Sequence, residues 1–394
     1  MGWMETNAMS QRVRFIAAWL NKEESVTALA LRFGVSRKTA HKWIARYKSE
    51  GAAGLHDRSS APHRQAFQTP PEIAECIVKL RRHHPAWGPR KLRAALMLED
   101  PSRNWPAAST IGDLLKREGL VRPRQPRRRA PPMEHPFADA VHPNDVWCID
   151  FKGWWRTGDG IRCEPLTVSD AMSRYLLVCK PVKRTGFAYV WPIVAKALKE
   201  YGLPRVVRSD NGPPFGTTAA GGLSRMGVHF IKMGIMPERI EPGKPQQNGR
   251  HERMHQTLKR EAATPPAKTW AGQTRQLSAF RKTFNELRPH EALGQIPPAR
   301  VYTASPRIWD GKLRSPDYLN ASLIRKVRGD GTICWKGGHL FVSEVLRKEP
   351  VGLFETAEDT FEVRFGPVLL GHIDHKDRMH RIKAKKRDRK LSPK

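Results

Sequence analysis

From residue 144 onward the apolar pattern of this chain changes period, and the order of the segments that follow restricts the fold more than any other feature of the sequence. Residues 146–152, 164–170 and 174–181 are short runs rich in β-branched and other apolar side chains with brief connections, which predicts an antiparallel meander. Residues 189–201 set Val190, Val194, Leu198 and Tyr201 at helical spacing, with Pro192 tolerable only in a first turn. A short buried strand is expected at 205–209. A helix follows over 223–233, with Leu223, Met226, Phe230 and Met233 on one face and a stop at Gly234. An edge strand at 239–241 and long helices at 247–261 and 270–287 complete the series. Three hairpin-linked strands, then helix, strand, helix, strand and helix, define a mixed α/β domain built on one sheet.

The segments before this domain are helical. Phe15, Ala18 and Trp19 line a first helix; residues 26–33 form a second; Gly34-Val35 is a turn, and Ser36 is a good cap for a helix over 37–48. Two short helices around a Gly-containing turn form a helix-turn-helix. In the last helix Ala40, Trp43, Ile44 and Tyr47 make an inward stripe, while Arg37, Lys38, Thr39, His41, Lys42 and Arg46 face out as a major-groove helix requires. Another helical block spans 71–120, with a helix marked by Ile73, Ile77, Val78 and Leu80, a second over 91–98, and a third capped by Ser109. It reads as a second helix-turn-helix, a winged helix or a plain spacer. Residues 123–132, rich in Arg and Pro, form an extended linker suited to touching phosphates. Beyond 300 the chain turns to strands again, at 323–327, 332–335, 339–342, 351–356, 361–365 and 368–373, a spacing that suits a small β-barrel. From residue 376 a Lys/Arg tail is expected to bind phosphates without fixed structure.

Lys and Arg number 70 against 38 Asp and Glu, a formal charge of +32, which calls for a polyanionic partner. No apolar run reaches the ~18 residues of a spanning helix, and no signal-peptide pattern opens the chain, so a membrane role is not expected. The five cysteines, Cys76, Cys148, Cys163, Cys179 and Cys334, form no CxxC pair and read as reduced thiols of a cytoplasmic protein.

Three acids stand in unusual settings. Asp150 interrupts an apolar strand, where a carboxylate is costly unless it is paired or binds a metal. Asp210 ends the 205–209 strand just before Asn211-Gly212, where α/β folds present their sites. Glu252 lies early in a helix. If they converge, they make a hard oxygen site suited to Mg²⁺ or Mn²⁺. Taken singly, Asp210 is a turn former and Glu252 a surface charge. Asp170, in Ser169-Asp170-Ala171-Met172, is another acid near the sheet.

The strings CIDFKGW, SDNGPPF and PGKPQQNGRHERMHQTLK resemble the three signature blocks of the DDE transposase and retroviral-integrase superfamily. The likeness is greatest to insertion-sequence transposases with an integrase core. It implies an RNase H-like fold for residues 144–300, with Asp150, Asp210 and Glu252 as catalytic ligands of two Mg²⁺ or Mn²⁺ ions. Gln256 and Lys259 share the Glu252 face, and the resemblance implies that Lys259 holds the terminal phosphate of a DNA end. The expected partner is double-stranded DNA, both element ends and target, bound by a homo-oligomer in the bacterial nucleoid. The implied reaction frees 3′-hydroxyls by hydrolysis and joins them to target by transesterification. A DNA-binding regulator without catalysis and a nuclease that cuts without joining are the alternatives. The Asp210–Glu252 spacing is wider than the one for which the group is named, with the surplus expected in loops at 216–222 or 237–244; Glu241 is the nearest rival acid. The expected chain is thus multidomain: helix-turn-helix (1–60), second helical domain (61–122), linker (123–143), α/β RNase H-like integrase core (144–300), linker (301–320), small β-barrel (321–375) and basic tail (376–394).

Overall fold

The computed structural model describes residues 7–58, 69–121, 140–240 and 249–382. Most of the Arg/Pro-rich linker, Glu241, the segment just before the Glu252 helix and the end of the basic tail lie outside the described residues. The chain divides into two compact units, Met1–Thr69 and Pro70–Lys394.

The first unit is three helices: α1 (Ala8–Leu20), α2 (Val26–Arg32) and α3 (Arg37–Glu50). Phe15, Ile16, Leu29, Ala30, Ala40, Trp43, Ile44 and Leu55 form its core. Gly34, at φ +64°, makes the turn between α2 and α3. The Ser36 side chain then accepts the Thr39 N–H at 3.1 Å and opens α3, a cap worth about 1 kcal/mol.

The second unit begins with α4 (Pro71–His83), α5 (Pro89–Glu99) and α6 (Ala108–Arg117), packed around Ile77, Trp87, Leu92, Leu96, Trp105, Ile111 and Leu115. Residues 69–121 hold no strand. The helix expected to start at Ser109 starts earlier, with Ala107 at the cap position and no side-chain cap.

The central sheet contains β1 (Val146–Phe151), β2 (Trp155–Arg156), β3 (Arg162–Asp170), β4 (Leu176–Val182), β5 (Val206–Ser209) and β6 (Met236–Arg239). β3 pairs antiparallel with β1, β2 and β4, whereas β1–β5 and β5–β6 are parallel. Two-residue alternation sorts the side chains. Trp147, Ile149, Leu166 and Val168 face α7 (Phe187–Tyr201) and one side of α8 (Arg225–Lys232). The opposite face, with Cys163, Leu176 and Cys179, meets α9 (Gly249–Ala262) and α10 (Trp270–Glu286). Two details depart from the sequence reading. β6 lies earlier than expected, at the sheet edge where Pro237 is tolerated. Pro192 lies inside α7, past its first turn, because packing of Val190, Val194, Ala197 and Leu198 on the sheet outweighs the hydrogen bond the proline cannot donate.

The C-terminal strands correct the expected small β-barrel. They are β7 (Leu323–Lys326), β8 (Thr332–Trp335), β9 (Gly338–Phe341), β10 (Pro350–Ala357), β11 (Thr360–Phe365), β12 (Val368–Ile373) and β13 (Met379–Arg381). Five form an open antiparallel sheet in the order β13-β12-β11-β10-β7, and β8–β9 is a separate hairpin, so no closed barrel exists among the described residues. The apolar face has another cover. Val351, Leu353, Val363, Phe365, Leu370 and Ile373 share one core with Ile333 and Trp335 of the hairpin and with Leu223, Val228 and Ile231 at α8. Lys232 bridges Glu349 at 2.5 Å beside this core. β13 also shows that the basic tail begins as a paired strand.

Candidate active site and nucleic-acid interface

Strand direction brings two of the acids together. β1 and β5 are parallel neighbours with Ile149 opposite Ser209, so Asp150 and Asp210 are the next residues at the same strand ends. The Asp150 Oδ1 accepts the Phe151 N–H at 2.7 Å, and Asp210 Oδ1 accepts the Gly212 N–H at 3.1 Å. Glu252 lies in the first turn of α9 and is exposed. Burial, then the charge of Asp210 and after it that of Glu252, pushes the Asp150 carboxyl up to about 7, against the pull of the Phe151 N–H and Lys152. All three acids therefore act within one electrostatic field. A desolvated carboxylate with two further acids acting on it is a hard-oxygen donor group that a divalent cation relieves, so these residues fit Mg²⁺ or Mn²⁺.

This shift has a measurable consequence. The folded-state value lies above the unfolded one near ~4, so the folded chain holds the extra proton between them. Stability is then lost as pH rises from about 4 through about 7, by a few kcal/mol. In chelator, Asp150→Asn is expected to melt several degrees above the parent at pH 8 and level with it at pH 4. A melting difference independent of pH would contradict this account.

The two faces of α9 do different things. Glu252, Gln256 and Lys259 lie exposed along one side. Lys259 is close enough to Lys152 for its charge, after burial, to help hold the Lys152 ammonium below its usual range. The other side is buried: His251, Met254, His255, Leu258 and Ala262. There the Thr167 hydroxyl meets His251 Nε2 and His255 Nε2, each at 2.8 Å, and Ser169 Oγ meets His251 Nδ1 at 2.7 Å. Burial lowers both imidazoles, His251 to about 3 and His255 to about 2, so they are neutral. One ligand atom each from Asp150, His251 and His255 lies within 4.8 Å of the others. The sequence reading passed over Lys152, Thr167, His251 and His255. The signal available was the pair of histidines four apart flanking Glu252.

Asp170 is committed elsewhere. Its carboxylate accepts the Asn144 N–H at 2.7 Å, the Ser173 N–H at 2.7 Å and the Ser173 hydroxyl at 2.6 Å, which fixes the turn into β4. In the first unit, Arg37, Lys38, His41 and Lys42 are exposed along α3. Thr39 is partly covered beside Ser36. Arg46 and Lys42 flank the Trp43 ring, at 4.9 and 4.8 Å from its centroid, and Arg12 lies 4.0 Å from it. Among the described residues no helix is long and apolar enough to cross a membrane.

Residues 140–245 and 233–298 match integrase core domain families, residues 11–63 a helix-turn-helix domain and residues 39–115 a homeodomain-like domain. The chain is 28% identical over 296 residues to the uncharacterized 39.2 kDa protein of insertion element IS476 from Xanthomonas euvesicatoria, covering 73% of this chain and 80% of that one. It is 28% identical over 229 residues to the uncharacterized 31.7 kDa protein of insertion element IS407 from Burkholderia multivorans, covering 58% and 79%. Among solved structures, the HTLV-2 integrase catalytic core aligns at 15% identity and TM-score 0.34, over 41% of this chain and 99% of that one. A chain of the simian T-cell lymphotropic virus intasome in complex with PP2A regulatory subunit B56 gamma aligns at 16% identity and TM-score 0.38, over 81% of this chain and 100% of that one.

Proposed function

This chain belongs to the DDE transposase and retroviral-integrase superfamily and carries an N-terminal helix-turn-helix, and from that premise we propose that it is the transposase of an insertion sequence. The observation that carries the proposal is the meeting of Asp150 and Asp210 at the ends of adjacent parallel strands, within the field of Glu252. On this reading the three carboxylates hold Mg²⁺ or Mn²⁺. The bound ions supply Lewis acidity that stabilises charge on the attacking and leaving oxygens. Lys259, with Gln256 beside it, steadies a DNA end against the site. Residues 1–60 recognise the element's ends, residues 61–122 are a second helical domain, and residues 144–300 carry the chemistry. Two ends are joined in one event, so the acting species is an oligomer on double-stranded DNA.

The test is cleavage and joining of labelled terminal DNA by the full chain. Mg²⁺ or Mn²⁺ is expected to support both steps and excess chelator to stop both. Cleavage without joining would make the protein a nuclease. Specific binding with no cleavage in either metal would make it a regulator, and undiminished activity in chelator would end the metal reading.

A further inference from the structure

We infer that Thr167 is a positioning residue that pins α9 to the sheet and thereby sets Glu252 against Asp150, keeping the site selective for oxygen-loving cations. The inference rests on the reading that Asp150 and Glu252 hold a divalent cation. Thr167 lies directly opposite Asp150 across the β1–β3 pair. Its hydroxyl donates to the Asp150 carbonyl at 3.0 Å. A hydroxyl has one proton and two lone pairs. With the proton used on Asp150, both lone pairs accept: one from His251 Nε2–H and one from His255 Nε2–H, at 2.8 Å each. His251 Nδ1 then accepts from the Ser169 hydroxyl at 2.7 Å. One side chain thus ties β1, β3 and two consecutive turns of α9 at a single point.

Glu252 stands between the two pinned histidines on α9. Sliding or rotating the helix enough to move its carboxylate breaks bonds that no water replaces, because both imidazoles are buried. The network has a second effect. The imidazoles lie near enough to Asp150 to join it around an ion, yet their Nε2 atoms are occupied by Thr167 and His251 Nδ1 by Ser169. Three of the four ring nitrogens are thus engaged, so the site offers carboxylates, which suit Mg²⁺ and Mn²⁺, ahead of the nitrogens that zinc prefers.

The test compares full-length parent, Thr167→Val, Thr167→Ser, Ser169→Ala, Asp150→Asn and Glu252→Gln. Calorimetric Kd values for Mn²⁺ and Zn²⁺ alone are read, with melting in chelator to confirm folding. Thr167→Val keeps the shape and removes the hydroxyl. It is expected to weaken Mn²⁺ binding about tenfold or more and to tighten Zn²⁺. Thr167→Ser should restore both values, a rescue that a packing role would not give. Ser169→Ala, which loosens His251 alone, should shift the Mn²⁺/Zn²⁺ ratio in the same direction by a smaller factor, and it decides the matter if Thr167→Val does not fold. Parent-like ratios in Thr167→Val, or in Ser169→Ala where that variant decides, overturn the pin. If Asp150→Asn and Glu252→Gln also bind Mn²⁺ like the parent, the carboxylate metal site itself is wrong.

Discussion

Asp150→Asn, Asp210→Asn and Glu252→Gln are each expected to lower both strand cleavage and strand joining at least about a thousandfold, with a double substitution hardly worse than a single one. The expectation follows from interdependence. Asp150 and Asp210 end neighbouring strands held in parallel register, and Glu252 reaches the same field from a separate helix. On the proposed reading, taking away one carboxylate dismantles the donor set that the other two need. Binding to terminal DNA should persist, since the helix-turn-helix belongs to another compact unit. Joining is best measured on pre-cleaved ends, so that loss of the first step does not hide the second. Full cleavage by Glu252→Gln would remove that residue from the site and make Glu241 the next acid to test.

The double substitution Arg37→Ala with Lys42→Ala is expected to reduce affinity for the element's ends about a hundredfold or more, at ~1–3 kcal/mol for each bidentate hydrogen-bond pair to a base that the change removes. Both side chains are exposed on α3, so the core of Phe15, Leu29, Trp43 and Ile44 should remain intact, with melting lowered only by the lost Lys42–Trp43 contact, about 0.5–1 kcal/mol. If these residues read bases, the salt slope should stay nearly constant while preference for the ends over random duplex collapses. If they only touch phosphates, the slope should fall by about 0.9 for each phosphate no longer neutralised, and the preference should survive. Specific binding that survives the double change and depends on residues 109–117 would move recognition to α6.

Much of the integrase-core region and of the candidate site could be read from residue order, because an acid inside an apolar strand and an acid at a strand end before Asn211-Gly212 are both unusual in composition. What could not be read was partnership. A His pair four apart on the Glu252 helix marks a helical face, but only the opposing strand reveals that the face meets hydroxyls. The C-terminal strands illustrate the same limit. Their lengths and turns were visible, but whether the first and last pair is decided by what covers the apolar face, and here α8 competes successfully for it. Pro192 and β13 show packing overriding local preference: a buried stripe holds α7 together through a proline, and pairing with β12 recruits Met379–Arg381 from a segment that composition assigned to a tail.

The shared core of α8 and the C-terminal sheet changes what a shortened chain would be. A gene product stopped near residue 300 would not be a catalytic domain lacking an accessory. It would leave Val228 and Ile231 facing water, together with Leu223, where Val351, Leu353, Phe365 and Leu370 had covered them. Such a fragment is expected to aggregate or to be degraded rather than to persist as a folded domain. A shortened product that stays folded is expected instead from the front of the chain, where Met1–Thr69 is a compact unit with its own core.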